Sequence, residues 1–177
     1  MITSGCSSTS FKFTQKNPNP DQDTFLVRDL APFRTHEVTV GWPPGQSIGI
    51  QLILAKPGSA FMRLWLESYR DYRPTMWYYN AGEVPTQHIL SKCPDLVHPV
   101  RELFGVQNLA AELYEKYDWD GWREQYAIHL LFRHREYLAK EDVKDSGIAD
   151  FDEDNILRYN KTFGVMARAV LGDYGFI

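Results

Sequence analysis

The apolar positions along the chain change their spacing several times, and each change predicts a strand or a helix. Short runs rich in apolar and β-branched residues predict strands at 24–28, 37–42, 48–55, 95–100 and 127–132. Runs whose apolar residues recur every three or four positions predict helices at 60–72, 84–92, 108–117 and 152–171. Strands mixed with helices in this order predict a layered α/β domain. Its expected centre is one mixed sheet, with strands that begin near Thr24, Glu37, Ile48 and Ala127.

The predicted helices have recognisable start signals and apolar faces. Ser59 is the expected N-cap of the first helix, and Pro85 is expected in the first turn of the second. The apolar face of the first helix is expected to contain Phe61, Leu64, Trp65 and Tyr69 or Tyr72. The last helix is expected to be continuous, since apolar residues recur at helical spacing throughout it: Ile156, Tyr159, Phe163, Met166 and Val170.

The first twenty residues differ in composition from the rest of the chain. They are dominated by Ser, Thr, Asn, Pro and Lys, which bury too little apolar surface to offset the entropy lost on ordering. Residues 1–20 are therefore predicted to be a disordered polar leader, and residues 21–177 a folded domain. The leader has no signal-peptide h-region, and no run is long enough to cross a bilayer. No transmembrane segment is expected in this chain, and these residues alone favour the cytoplasm.

Charge and cysteine content exclude several classes of function. The net charge is −4, with acids and bases interspersed, so no broad positive field is available to bind nucleic acid. The two cysteines, Cys6 and Cys93, are far apart and predict neither a metal-ligand pair nor a disulfide framework. A thiol nucleophile at Cys93, near His88 and His98, has no orienting group in the sequence.

Two carboxylates, Asp21 and Asp23, lie directly before the first predicted strand. One interpretation is that they are turn residues, because Asp competes well for local backbone donors. The other is that carboxylates at i and i+2 face one point and bind a hard divalent cation such as Mn²⁺ or Mg²⁺. Two interpretations also exist for His129, in the run YAIHLLF: it is either a half-buried histidine of a strand or a metal ligand.

The order of several sequence blocks resembles that of the DXD-containing sugar transferases. The blocks are DQDTFLVRDL, AKPGSAFMRLWLESY, WYYNAGEVP and YAIHLL, and they span about residues 21–137. The group they resemble contains the α-1,4-N-acetylglucosaminyltransferases, the α-1,4-galactosyltransferases and the yeast-type α-mannosyltransferases. The resemblance implies a GT-A-like nucleotide-diphospho-sugar transferase fold and a retaining, metal-dependent transfer of a hexose from a UDP- or GDP-sugar. It also implies a glycan, glycolipid or protein acceptor and a location in the Golgi lumen.

The same resemblance implies roles for individual residues. Asp21, Asp23 and His129 would bind Mn²⁺ or Mg²⁺, and the two aspartates would hold the donor diphosphate through the metal. Gln51, the only long polar side chain in IGIQLILA, would reach the donor sugar, although an edge strand would also explain it. Asn80 and Glu83 would contact the substrate, or would simply lie in the loop before the Pro85 helix. No catalytic nucleophile is assigned.

In the family that the chain resembles, further βα units precede the DXD strand. Only twenty residues precede Asp21, so the chain is expected to be the C-terminal portion of such a domain, truncated at its N-terminus. The alternative to an enzyme is therefore a non-catalytic fragment or isoform that acts, if at all, as a binding module.

Asn160-Lys161-Thr162 is a formal N-glycosylation sequon. It falls within the predicted last helix and matters only if the chain reaches the lumen of the secretory pathway.

Overall fold

The computed structural model describes residues 19–20, 23–132 and 151–173, and they form a mixed α/β domain, as predicted. The strands are β1 (Asn19–Pro20), β2 (Thr24–Leu26), β3 (Val38–Gly41), β4 (Leu52–Ala55), β5 (His98–Val100) and β6 (Ala127–His129). The α-helices are α1 (Ala60–Ser68), α2 (Ala110–Tyr114), α3 (Glu153–Arg158) and α4 (Thr162–Asp173), and a π-helix covers Tyr79–Leu90. Short 3₁₀ turns lie at Ala31–Phe33, Tyr69–Asp71, Pro94–Leu96 and Asp120–Glu124.

The main sheet has four strands in the order β1-β4-β3-β5. β3 is buried along its whole length; it pairs antiparallel with β4 and parallel with β5, so this sheet is mixed. β1 pairs antiparallel with β4, which shows that Asn19 and Pro20 at the end of the predicted leader are paired. Residues 1–18 lie outside the described part of the chain.

The strands at Thr24 and Ala127 do not join this sheet, and the prediction of a single sheet was wrong. β2 and β6 instead form a separate antiparallel pair, in which Thr24 lies opposite His129 and Leu26 opposite Ala127. Two further backbone hydrogen bonds extend the pair at its ends. The Leu130 amide donates to the Asp23 carbonyl (2.8 Å), and the Val27 amide donates to the Tyr126 carbonyl (3.0 Å).

The predicted strand at 48–55 is only half realised, because β4 begins at Leu52. In the preceding segment the Gly49 amide donates to the Gly41 carbonyl (2.7 Å). Ile48 hydrogen-bonds to side chains through both its amide and its carbonyl. Because these backbone groups are already hydrogen-bonded, the segment does not need strand pairing to satisfy them.

Helix α1 starts after Ser59, as predicted, and buries Phe61 and Trp65 against the sheet. The Ser59 side chain makes no capping bond; the carboxylate of Glu37 accepts from the Ala60 amide instead (2.8 Å). Tyr69 and Tyr72, predicted on the buried face, are 41% and 59% exposed. They lie past the end of α1, which gives way to a 3₁₀ turn.

The second predicted helix begins earlier than expected and is a π-helix, so Pro85 lies inside it and not in its first turn. In a π-helix the amide of residue i bonds to the carbonyl of residue i−5. Pro85 has no amide hydrogen, which would leave the Asn80 carbonyl unpaired. That carbonyl accepts from the indole N–H of Trp65 (2.8 Å), so a side chain from α1 replaces the missing backbone bond.

The last predicted helix is broken into α3 and α4 by residues 159–161, so the prediction of one continuous helix was wrong. The Arg168 guanidinium donates to the carbonyls of Leu157 (3.0 Å) and Tyr159 (2.8 Å), two orphan acceptors at the end of α3. The Thr162 amide donates to the Lys116 carbonyl (2.8 Å). The break lets Tyr159 turn into the core, where it is 6% exposed.

Among the described residues, three groups of buried side chains form the core. One lies between β3 and α1, and another lies among α2, β6, α3 and α4. The third includes Leu52 of β4, Ala127 of β6 and Phe104 between them, and it connects the two sheets. None of the helices in the described ranges is sufficiently long and apolar to cross a membrane.

The break between α3 and α4 requires glycine at position 164. A Cβ there would lie far inside 3.0 Å of the Tyr159 carbonyl oxygen, and this is backbone that cannot easily move. We expect Gly164→Ala to lower the free energy of unfolding by about 1–3 kcal/mol in urea denaturation. The matched control is Gly172→Ala at an exposed position of α4, where higher helix propensity should give a change of zero or a gain of up to about 1 kcal/mol. Equal losses in both variants would contradict this account of the break.

Candidate functional site

Asp23 and His129 lie side by side at one end of the β2–β6 pair. Asp23 Oδ1 is 3.0 Å from His129 Nε2, and the two side chains are 25% and 15% exposed. The Asp23 backbone is fixed at the same point by the Leu130 amide. The pairing of two short strands therefore brings together an acid and an imidazole that are distant in the sequence.

The chain after β6 also turns towards the Asp23 carboxylate. Leu131 has a φ of 54°, in the left-handed region that non-glycine residues rarely adopt. The amide of the next residue, Phe132, then donates to Asp23 Oδ2 (3.3 Å). Each oxygen of the carboxylate thus has a protein partner. Nothing in the sequence signalled this contribution from residues 130–132, since no glycine marks the turn.

Asp21, the first acid of the pair, lies outside the described residues, so its role stays a prediction.

The backbone of Gln51 also lies near the site. The hydroxyl of Thr24 donates to the Gln51 carbonyl (3.2 Å), which places this backbone one residue from Asp23.

The Gln51 side chain has an unusual environment. Its amide oxygen is buried and has no hydrogen-bond partner within the described part of the chain. It lies so close to Gly49 that a Cβ at that position would be 2.5 Å away. Gln107, which the sequence analysis did not single out, also has a buried amide oxygen that lacks a partner among the described residues. An unpaired buried acceptor is costly unless a donor arrives from elsewhere.

The structure places Asn80 and Glu83 in the π-helix, and not in a loop before it. The Asn80 side-chain oxygen accepts from the Arg73 amide (2.9 Å), and the residue is 4% exposed. Asn80 therefore holds the segment that leads into the helix. Glu83 is half-buried in the first turns of the same helix.

The π-helix is attached to the segment that carries Gln51. The Tyr78 hydroxyl donates to the Ile48 carbonyl (2.6 Å), and the Thr86 hydroxyl accepts from the Ile48 amide (2.9 Å). The Tyr78 ring covers Gly82 so closely that a Cβ there would collide with it. The contacts of Tyr78 and Thr86 with Ile48 were not predicted from the sequence, where Gly82 was the only residue that could have signalled them.

Burial raises the pKa of the Tyr78 hydroxyl above its ordinary value of 10.0. The neutral phenol is the form that donates to the Ile48 carbonyl, so burial and the hydrogen bond favour the same protonation state.

Cys93 is not a free thiol in the structure. A thiol nucleophile at this position, with His88 and His98, is therefore discarded.

The 3.0 Å spacing of Asp23 and His129 is that of a direct hydrogen bond, and it is also compatible with a small divalent cation. Neighbouring ligands of an octahedral ion with bonds of about 2.1 Å are separated by about 2.1 × √2, or about 3.0 Å. The observed separation of the oxygen and the nitrogen is 3.0 Å. A carboxylate and an imidazole also form a donor set that Mn²⁺ accepts. No cluster of three or more His, Cys, Asp or Glu side chains suited to a metal occurs within 23–132 and 151–173, a range that excludes Asp21.

Comparison with known proteins gives no relative for this chain. It matches no protein-family model, and searches of curated proteins and of solved structures find no significant similarity.

The Tyr78 anchor predicts a pH-dependent stability. Tyr78→Phe removes the hydrogen bond to Ile48 and should cost about 1 kcal/mol of unfolding free energy near neutral pH. Because the folded pKa is raised, the folded chain holds the Tyr78 proton more tightly than the unfolded chain does. This contribution is complete below pH 10.0 and is lost as the pH rises through the folded pKa.

The difference in stability between the native chain and Tyr78→Phe should therefore shrink above pH 10, as measured by urea unfolding across the alkaline range. Tyr72→Phe, at an exposed tyrosine, is the control and should leave the stability unchanged throughout. A difference that grows with pH would contradict the assigned direction.

Proposed function

We propose that the chain is a glycosyltransferase-like protein of the GT-A type, which transfers a hexose with retention from a UDP- or GDP-sugar with the help of Mn²⁺ or Mg²⁺. The observation that carries the proposal is the 3.0 Å contact between Asp23, in the D-x-D block, and His129, in the YAIHLL block. These are two of the sequence blocks on which the resemblance rests. Their convergence is what a shared metal site requires.

Asp23 and His129 are the described residues that would hold the ion, and Asp21 would add a second carboxylate. The bound ion would supply positive charge against the diphosphate that departs from the anomeric carbon of the donor. The protein's own contribution is to fix the ligands. The Phe132 amide and the Leu130 amide hold the side chain and the backbone of Asp23, respectively.

Gln51 is the described residue best suited to contact the donor sugar. Its buried amide oxygen lacks a hydrogen-bond donor within the described residues, and sugar hydroxyls are donors. Its backbone carbonyl accepts from the hydroxyl of Thr24, which directly follows Asp23, so the Gln51 backbone and the proposed metal ligand belong to neighbouring segments. Glu83 would contact the donor from the π-helix, whereas the Asn80 side chain holds the Arg73 backbone in the segment that leads into that helix. The acceptor would be a glycan, glycolipid or protein, and the expected compartment is the Golgi lumen.

One observation favours a second candidate, a non-catalytic binding module with the same fold. Both oxygens of the Asp23 carboxylate already have partners in the chain, His129 and the Phe132 amide. This contact would by itself stabilise the β2–β6 pair without any ion. The two candidates differ in whether a cation can replace the Asp23–His129 contact.

Titration calorimetry with Mn²⁺ separates these candidates. The proposed enzyme should bind one Mn²⁺, and Asp23→Asn and His129→Gln should each weaken binding at least about tenfold, because each removes a ligand from a small site. UDP should bind only when the metal is present. Asp29→Asn is the matched control: Asp29 is an exposed aspartate that contacts Arg34 across 3.9 Å, and its loss should leave Mn²⁺ affinity unchanged.

Thermal unfolding checks that each variant is folded before its affinity is interpreted. Mn²⁺ affinity that is the same in folded Asp23→Asn, folded His129→Gln and the native chain would reject the metal site and favour the binding module. UDP binding that is equally tight without metal would reject the role proposed for the ion.

A further inference from the structure

Asn160 is the only asparagine of the chain that is followed two positions later by Ser or Thr. The intervening residue is Lys161, so the Asn-Lys-Thr sequence meets the requirement that this position is not proline. A glycan on Asn160 is compatible with the folded chain only if this side chain faces solvent with room around it.

Asn160 lies in the break between α3 and α4, not in a helix. The preceding residue, Tyr159, has left helical geometry, with φ −69° and ψ 114°. The Asn160 side chain is exposed, whereas Tyr159 and Thr162 on either side of it are buried. The chain thus presents this one amide to solvent at a tight turn. A bulky group on Asn160 would extend outward without displacing any core residue.

The other two residues of the sequon have structural roles that a glycan would leave intact. The Thr162 hydroxyl donates to the Lys116 carbonyl (3.0 Å) and accepts from the Trp119 amide (3.2 Å). The Lys161 ammonium donates to the Glu115 carbonyl (2.9 Å) and lies 3.6 Å from the centre of the Tyr117 ring. Both side chains point back to the segment after α2, so they hold the turn that exposes Asn160.

N-glycosylation occurs in the lumen of the endoplasmic reticulum, on chains that are still entering it. The exposed, non-helical Asn160 leaves room for the attached oligosaccharide once the chain has folded there.

We propose that Asn160 is an N-glycosylation site and that the protein folds in the lumen of the secretory pathway. The co-substrate is an oligosaccharide carried on a lipid diphosphate, supplied by the host's transferase. A bond forms between the Asn160 amide nitrogen and the anomeric carbon of the oligosaccharide. The bond from that carbon to the diphosphate oxygen breaks, the lipid diphosphate leaves with the electron pair, and the amide nitrogen loses one proton to a base of the host enzyme. This inference does not depend on the proposed metal site.

The experiment directs the full chain, behind a cleavable signal peptide, into the lumen of cultured animal cells. Most of the secreted chain should carry a glycan that peptide N-glycosidase removes, and mass spectrometry should then find Asp at position 160. Asn160→Gln should abolish the modification. Thr162→Ser keeps the sequon and the hydroxyl, so it should retain the glycan, which separates loss of the acceptor from damage to the turn.

A second readout keeps the result decisive: thermal unfolding should show that the secreted chain is folded. A folded, secreted chain with unmodified Asn160 would overturn the proposal, as would a glycan that persists in Asn160→Gln. Neither result would affect Mn²⁺ binding at Asp23 and His129, so a failure here is distinguishable from a failure of the proposed function.

Discussion

The candidate site depends on the pairing of β2 with β6. These strands have three residues each, and they would be too short to persist alone. They are held by the buried cluster that Ala127 shares with Leu52 and Phe104, which packs the strand pair against the main sheet. The pairing in turn fixes Asp23 next to His129. A residue near the start of the folded chain and one late in it thus form a single polar pair, because apolar burial beneath them sets the register.

Near the site, several buried backbone groups exchange a backbone hydrogen-bond partner for a side-chain partner. The backbone of Ile48 hydrogen-bonds to the hydroxyls of Tyr78 and Thr86 in place of a neighbouring strand. The Asn80 carbonyl, which has no amide partner at Pro85, accepts from the indole N–H of Trp65. Each exchange satisfies a buried backbone group, which is why the irregular segment and the π-helix are compatible with a stable core. The amide oxygen of Gln51 is an exception among the described groups. A buried acceptor without a donor among the described residues is consistent with a ligand that supplies hydroxyl groups.

The sequence predicted the existence and type of most elements because apolar spacing reports burial directly. Val38 and Val40 alternate as a strand requires, and Phe61 and Trp65 recur as a helix requires, so both elements were found. The pattern could not predict which strands pair, and it therefore placed β2 and β6 in the main sheet. It also could not detect the break before Thr162, since Tyr159 and Phe163 remain at helical spacing on both sides of it. Asp23 and His129 were identified through the resemblance, but the Phe132 amide reaches the Asp23 carboxylate through a left-handed Leu131 that no sequence rule anticipates. The roles of Tyr78, Thr86 and Gln107 depend on tertiary contacts alone.

Proton NMR during a titration with Mn²⁺ tests whether Asp23 and His129 share one divalent cation. A paramagnetic ion broadens the signals of the nearest nuclei first. The His129 ring signals are identified as those that are missing from the spectrum of the His129→Gln variant. We expect the His129 signals to broaden at low Mn²⁺. The signals of His36 and His98, whose rings stack with centres 3.7 Å apart, should stay sharp. Broadening of the His36 and His98 signals before that of His129, or no broadening of His129 at all, would rule out a shared ion at Asp23 and His129.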